Sequence, residues 1–241
     1  MAKKPKAEEI INKVEAHYDS TEPLRNRMDE DYALYRLDPY DAGEDFHSYT
    51  SNEPATYADK IVSFLNSSEL TARIPVNSQQ REQREANDQK ERFFIGTLRS
   101  ADERLRNAIQ PDIKAQLAWY ITMRGWYAGR ACLVKTKDEK TFVDITPFDP
   151  MHTYWATGHD GLIWACYKTK RSKEMIESQY NVRLNISDDY DDWIEVYDYY
   201  DREYNMVVLS NGRVVKKATP HGSPNVPVFI GAVGNNPEIQ A

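Results

Sequence analysis

Apolar positions in the first 130 residues recur at helical spacing. Ile10, Ile11, Val14 and His17 predict an amphipathic helix, and Thr21 with Pro23 reads as the N-cap and early-turn proline of a second. That second helix carries Leu24, Met28, Tyr32 and Tyr35 on one face and ends before Pro39. Residues 38–52 hold Pro39, Gly43, carboxylates and small polar residues, the composition of a loop. Asn52 then caps a third helix with Tyr57, Ile61, Phe64 and Leu65 turned inward. The longest helix is expected over about residues 78–109, where Phe94, Leu98, Ala101, Leu105 and Ala108 make a heptad-like seam. The seam is too short for a free coiled coil, so it packs inside a helical domain or against a neighbouring subunit. Pro111 and Asp112 end this helix and open another through Ile113, Leu117, Tyr120 and Ile121, and Gly125 and Gly129 let the chain turn out of it.

From residue 130 the period changes to short runs bounded by turns. Arg130 to Lys137 and Thr141 to Thr146 flank Asp138-Glu139-Lys140 as a hairpin. Tyr154-Trp155 and Leu162 to Tyr167 flank Gly158-His159-Asp160-Gly161 as a second. Ser172 caps a short helix to about Tyr180, and Trp193 to Tyr200 is a further strand. Met206 to Ser210 and Arg213 to Lys216 flank Asn211-Gly212, which predicts a type I′ turn. The pattern is α+β, with an N-terminal helical part followed by an antiparallel β-rich part. It divides into helices and a loop over 1–52, a helical part with the long helix over 53–130, and a β-rich part over 131–241.

Composition narrows the class. At 241 residues, 40% hydrophobic and 29% charged, the chain is expected to fold around a substantial core. Lys+Arg 31 against Asp+Glu 38 leaves a net charge of −7, which disfavours a protein that coats nucleic acid. Cys132 and Cys166 sit in apolar stretches and read as reduced core thiols. No apolar core follows the basic start, and Leu117 to Tyr127, interrupted by Arg124, falls short of the ~20 residues of a membrane span. A soluble, cytosolic product with no membrane partner is expected. The 16 Tyr and 5 Trp against 7 Phe suit half-exposed surfaces and subunit contacts.

Candidate chemistry is sparse. The five histidines, at 17, 47, 152, 159 and 221, form no zinc-binding pair, and neither a phosphate loop nor a nucleophile elbow is present. No catalytic, cofactor-binding or metal residue is assigned, and an enzyme is not expected. Asp149, His152, His159 and Asp160 could join at adjoining hairpin ends as a metal or acid-base group; the same residue types also simply make turns. Between Asp188 and Glu203 stand 8 carboxylates against Arg202, interleaved with tyrosines. This reads as a strand with a negative solvent face or as a divalent-cation site without calcium-loop spacing. Residues 71–130 hold 11 Lys+Arg against 7 Asp+Glu, so one chain carries surfaces of opposite sign that a ring of identical subunits could pair.

The order of features resembles a known family. An arginine-rich long helix is followed by Tyr120-Ile121-Thr122-Met123-Arg124-Gly125-Trp126-Tyr127-Ala128-Gly129-Arg130-Ala131-Cys132-Leu133-Val134, a helix passing through glycine into a strand. Then come Ile145-Thr146-Pro147-Phe148-Asp149-Pro150, Tyr154-Trp155 and a glycine-containing turn into another strand. Over roughly residues 20–235 this is similar to the wing region of tailed-bacteriophage portal proteins, the head-to-tail connectors. The resemblance implies a homo-oligomeric ring, usually a dodecamer, at one capsid vertex of the virion, made in the host cytoplasm. Double-stranded DNA would pass through it in packaging and ejection. Major capsid protein, scaffolding protein, terminase and adaptor or tail proteins would be its partners, and no cofactor is implied. Portal chains commonly continue beyond the region of Val226-Pro227-Val228-Phe229-Ile230 into stem, clip and crown elements; these are not expected within the 241 residues, so the resemblance implies either part of a longer portal chain or elements supplied by another chain. Arg99, Arg104 and Arg106 on the long helix are candidate inter-subunit partners of acidic residues; ordinary salt bridges within the subunit are the alternative. The competing functions are a non-channel virion or adaptor module and an Asp/His hydrolase built on Asp149, His152 and Asp160.

Overall fold

A computed structural model describes residues 4–40, 43, 47–75, 81–135, 141–184 and 193–234. The expected α+β order is what the chain forms. The helices are α1 (Ala7–Ser20), α2 (Glu22–Tyr35), α3 (Glu53–Ser67), α4 (Arg81–Asn107) and α5 (Ile113–Arg124), with α6 (Lys173–Tyr180) inserted among the strands. The strands are β1 (Trp126–Lys135), β2 (Thr141–Phe148), β3 (Thr153–Gly158), β4 (Gly161–Ser172), β5 (Trp193–Asp201), β6 (Tyr204–Leu209), β7 (Val214–Pro220) and β8 (Val228–Ala232). They make a three-stranded sheet, β2-β1-β8, and a five-stranded sheet, β3-β4-β5-β6-β7, with every pairing antiparallel.

Side-chain alternation puts different residues of the five-stranded sheet on its two faces. Cys166, Tyr197, Tyr199, Met206 and Val208 face α1, where they pack with Ile10 and Val14. Ala165 and Tyr200 face the other way, onto Ala128 and Phe148 of the three-stranded sheet, while Val196, Val207 and Leu209 on that side pack under Ile176 of α6. The sheet is therefore covered on both sides, which corrects the expected negative solvent face of β5. Asp198 points inward and is 5% exposed. Asp188, Asp189, Asp191 and Asp192 lie outside the described residues, as does the first hairpin's turn at Asp138-Glu139-Lys140.

Several local expectations shift. β1 begins at Trp126, not residue 130, because Gly125 ends α5 in the left-handed region (φ +64) and Trp126 to Arg130 pair at once with β8. Gly129 is no turn: it lies inside β1, where a Cβ would overlap the Phe229 ring and come within 2.9 Å of the Thr146 carbonyl. At Asn211-Gly212 only Gly212 has positive φ, and its N–H donates to Leu209 O at 2.9 Å. The connection is a type I turn closed by a left-handed glycine, not type I′. Thr21 and Asn52 make no side-chain cap; the Thr21 hydroxyl instead donates back to His17 O at 2.7 Å. Ser172 does cap α6, accepting from Met175 N.

The helical layer is less fully buried. Among the described residues of α4 the buried ones lie at its C-terminal end, Ala101 and Leu105 packing against Ile113 with Leu98, Leu117 and Ile145 around them. Phe94 and Ala108, expected in the same seam, are exposed. In α3 the buried residue is Ala58; of the four residues expected inward, Ile61 and Leu65 are half-buried while Tyr57 and Phe64 point to solvent at 69% and 75% exposure.

Candidate functional site

The Asp149 to Asp160 group separates in space. Asp149 opens a single 3-10 turn (Pro150–His152), its carboxylate accepting from Met151 N at 2.9 Å. His159 and Asp160 lie beyond the far end of β3, whose 6 residues place them roughly 20 Å from His152. The four side chains form two unrelated turns and no joint site.

Two arginines of the helical layer clamp the first of these turns. Arg124 of α5 pairs with Asp149 at 3.4 Å, donates to Met28 O of α2 at 3.0 Å, and lies over the Tyr32 ring. Arg25 of α2, buried, donates to Met151 O and stacks on Tyr154 with its guanidinium carbon 4.2 Å from the ring centroid. Burial pushes His152 below the usual imidazole range, against the pull of Asp149. Next to this clamp His17 of α1 is set among Tyr154, Trp155 and Trp164, and burial, with Arg25 nearby, pushes its pKa down to about 4. These contacts join α1, α2 and α5 to β3 and β4.

A second polar cluster bridges the sheets. Arg130 of β1 reaches Asp144 of β2 and, in the opposite sheet, Asp198 at 3.3 Å and the Tyr200 hydroxyl at 2.6 Å. Asp198 also accepts from Tyr200 at 3.0 Å and from Asn205 Nδ2 at 2.8 Å, and Lys216 of β7 donates to Asn205. Burial by itself would lower the Arg130 pKa, yet Tyr200, Asp198 and Asp144 hold it well above the ordinary value. The cluster lines a cleft of 700 Å³ between the sheets that also contains Cys132, Lys135 and His221. Each Asp198 oxygen is engaged and His221 is fixed by Asp201 O and Ser223 N, whereas Arg130 Nε is buried without a hydrogen-bond partner. Cys132 and Cys166 are both free thiols, and burial raises both, so neither is an activated nucleophile. Among the described residues no group of three His, Cys, Asp or Glu is placed to hold a metal ion, and no helix is long and apolar enough to cross a membrane.

No protein-family model matches the chain, and no curated protein does.

The three arginines of α4 have different surroundings. Arg104 donates to Val143 O at 2.8 Å, lies over the Phe142 ring and sits 3.7 Å from Asp144, which docks α4 on β2. Arg106 pairs with Asp112 at 2.8 Å on the surface of the same chain. Arg99 is exposed and lines a recess of 480 Å³ between α4 and residues 69–73, with Leu70, Arg73, Arg92 and Ile95. On another side of α4, Phe93, Gly96, Thr97 and Ser100 form a 440 Å³ groove with Leu133 and Phe142 of the β1–β2 hairpin. None of the described residues from Arg84 to Ser100 is buried. Neither the Arg130 and Asp198 cluster nor this groove is among the sites expected from the sequence. For the cluster the available signal was a carboxylate at every third position of a tyrosine-rich strand; for the groove, the small residues Gly96, Thr97 and Ser100 beside Phe93.

Proposed function

We propose that the chain is a structural subunit of the portal, or connector, type: one copy in a ring at a capsid vertex through which double-stranded DNA is packaged and ejected. Terminase and adaptor or tail proteins would attach to that ring. The observation that carries the reading is the order of elements. The string from Tyr120 to Val134 runs from α5 through a left-handed Gly125 into the central strand of a sheet, and the string from Ile145 to Pro150 leads from β2 into the turn that the helical layer clamps. Two further features support it. The concentrated polar groups of the described residues join layers, Arg25 and Arg124 holding the turn after β2 and Arg130 linking the two sheets, as suits a scaffold. Among the described residues, large apolar side chains stand exposed on α3 and α4, Tyr57, Phe64, Phe93 and Phe94 among them, as they would on a subunit that completes its surface with neighbours. A net charge of −7 also favours passage of DNA over a tight grip on its phosphates.

Negative-stain imaging of the complete gene product tests this. The expected result is a ring with a central hole; a strictly monomeric particle by mass measurement would overturn it.

A further inference from the structure

Helix α1 meets the five-stranded sheet through one stripe of side chains. Ile10 and Val14 enter the core with Tyr154, Trp164 and Tyr199, and Lys13 and His17 follow on the same helix face. Lys13 donates to the Tyr199 hydroxyl at 3.2 Å, and the His17 ring lies 5.8, 4.7 and 6.2 Å from the rings of Tyr154, Trp155 and Trp164. One residue, Thr21, separates α1 from α2, and its backbone leaves the helical region at φ −112 and ψ 14. Rotation at Thr21 therefore moves α1 while Arg25, bound to Met151 O, keeps α2 in place.

The hydrogen bonds around His17 decide which nitrogen holds its proton. The Thr21 hydroxyl has a single hydrogen and donates it to His17 O at 2.7 Å, so toward the ring it accepts, and Nδ1, 3.3 Å away, is the donor. Nε2 is then the bare nitrogen, and among the described residues it has no hydrogen-bond partner. A proton from solvent adds an N–H without an acceptor. It also adds a positive charge beside two existing cations, Lys13 four positions back on the same helix face and Arg25 on α2.

The other groups packed around the ring do not offset that charge. β3 contributes the Tyr154 phenol and β5 the Tyr199 phenol, both kept neutral by burial, and Lys168 of β4 pairs with Glu195 of β5 at 3.0 Å. The carboxylates of this corner, Asp149 and Asp29, act on Arg25, and His152 in the neighbouring turn gains charge in the same direction as His17 on acidification.

We propose that the seam between α1 and the sheet is an acid-opened joint: a proton on His17 releases α1 from β3, β4 and β5 about Thr21, while the sheet and its covering on the other face stay folded. The joint operates within one subunit and stands apart from the ring proposed above. The ring nitrogen's pKa is about 4 docked and 6.5 released, so docking has its full strength above pH 6.5 and weakens as pH falls toward 4. Once released, α1 loses its packed face, and a helix of 14 residues frays in water.

Hydrogen–deuterium exchange of the complete gene product, read by mass spectrometry at pH 7.5 and pH 4.5 and corrected for the intrinsic exchange rate, tests the joint. In wild type the protection of residues 7–20 is expected to fall by roughly 70-fold between the two pH values, the ratio that those two pKa values give, while residues 193–209 of β5 and β6 hold theirs. In His17→Gln and His17→Phe, which take up no proton there, residues 7–20 are expected to keep their protection; circular dichroism at pH 7.5 identifies a folded variant, and either one serves. The wild-type comparison needs neither. Full protection of residues 7–20 at pH 4.5 would overturn the proposal, and so would their loss in step with residues 193–209, which is unfolding of the whole subunit. A loss of the same size in a folded His17 variant would overturn it as well, because the proton would then act at another group.

Discussion

The five-stranded sheet and the α3–α4 flank carry similar aromatic residues in opposite surroundings. In the sheet, Tyr199 is 2% exposed, with α1 over one face and the three-stranded sheet over the other. On the flank, Phe64 is 75% exposed among the described residues with the same kind of ring. Charges differ likewise. In the sheet, Asp198 is buried and answered by Arg130, Tyr200 and Asn205; on the flank, Arg92 and Arg99 lie exposed beside a recess. The difference is one of covering: a buried carboxylate in the sheet is answered by several partners, while the described rings of the flank keep most of their surface exposed.

The sharpest way to break this contrast is at the core's charge lock. Arg130→Met leaves Asp198 buried without its cation, and removing one partner of a buried pair costs ~3–5 kcal/mol. Urea denaturation should show that loss, and the double variant Arg130→Met with Asp198→Leu should recover much of it. A single variant as stable as wild type would mean that the cluster does not hold the sheets together.

A smaller effect tests the seam between α1 and the sheet. His17 has a folded pKa of about 4 against 6.5 unfolded, so the unfolded chain takes up its proton first on acidification. Its neutral form contributes full stability above pH 6.5, and the contribution drains away as pH falls from there toward 4. The groups facing it are Arg25 of α2, Tyr154 and Trp155 of β3 and Trp164 of β4. Thermal melts between pH 7 and pH 4.5 should therefore fall more steeply for wild type than for His17→Phe. Parallel curves would place the acid sensitivity elsewhere.

The smallest effect is expected on the flank. Phe64→Ser and Phe93→Ser remove rings that are 75% and 69% exposed among the described residues, so the unfolding free energy of the subunit should move by no more than about 0.5 kcal/mol, the range of ordinary surface substitutions. A loss of 2 kcal/mol or more, comparable with about the cost of a core truncation, would erase the distinction between the two regions.

Much of the framework was legible because it depends on near neighbours along the chain. Ile10, Val14 and the Ser172 cap announce their helices, since periodicity and capping are local. What failed did so for reasons outside the local window. The inward assignment of Tyr57 and Phe64 followed an apolar stripe without knowing that α5 and α2 meet a different face of α3. The solvent-facing assignment of Asp198 followed its charge, when the two-sided covering of β5 places that carboxylate against Arg130, 68 positions away in sequence. At Asn211-Gly212 the dipeptide signalled a turn correctly but not its type, because the pairing of Leu209 with Arg213 admits a longer connection. The grouping of Asp149 with Asp160 treated closeness in sequence as closeness in space, and an extended strand is the arrangement that carries neighbours furthest apart.

By itself, then, the sequence determined where helices give way to strands, which residues punctuate them, and an excess of negative charge, because these follow from local periodicity, backbone preference and composition. Only the tertiary structure decided that Arg130 and Asp198 form a lock between sheets, that Gly129 admits the Phe229 ring, and that Phe64 and Phe93 remain uncovered. Each of those outcomes depends on which remote segment arrives at a given face, and a one-dimensional pattern of apolar and polar positions carries no record of that arrival.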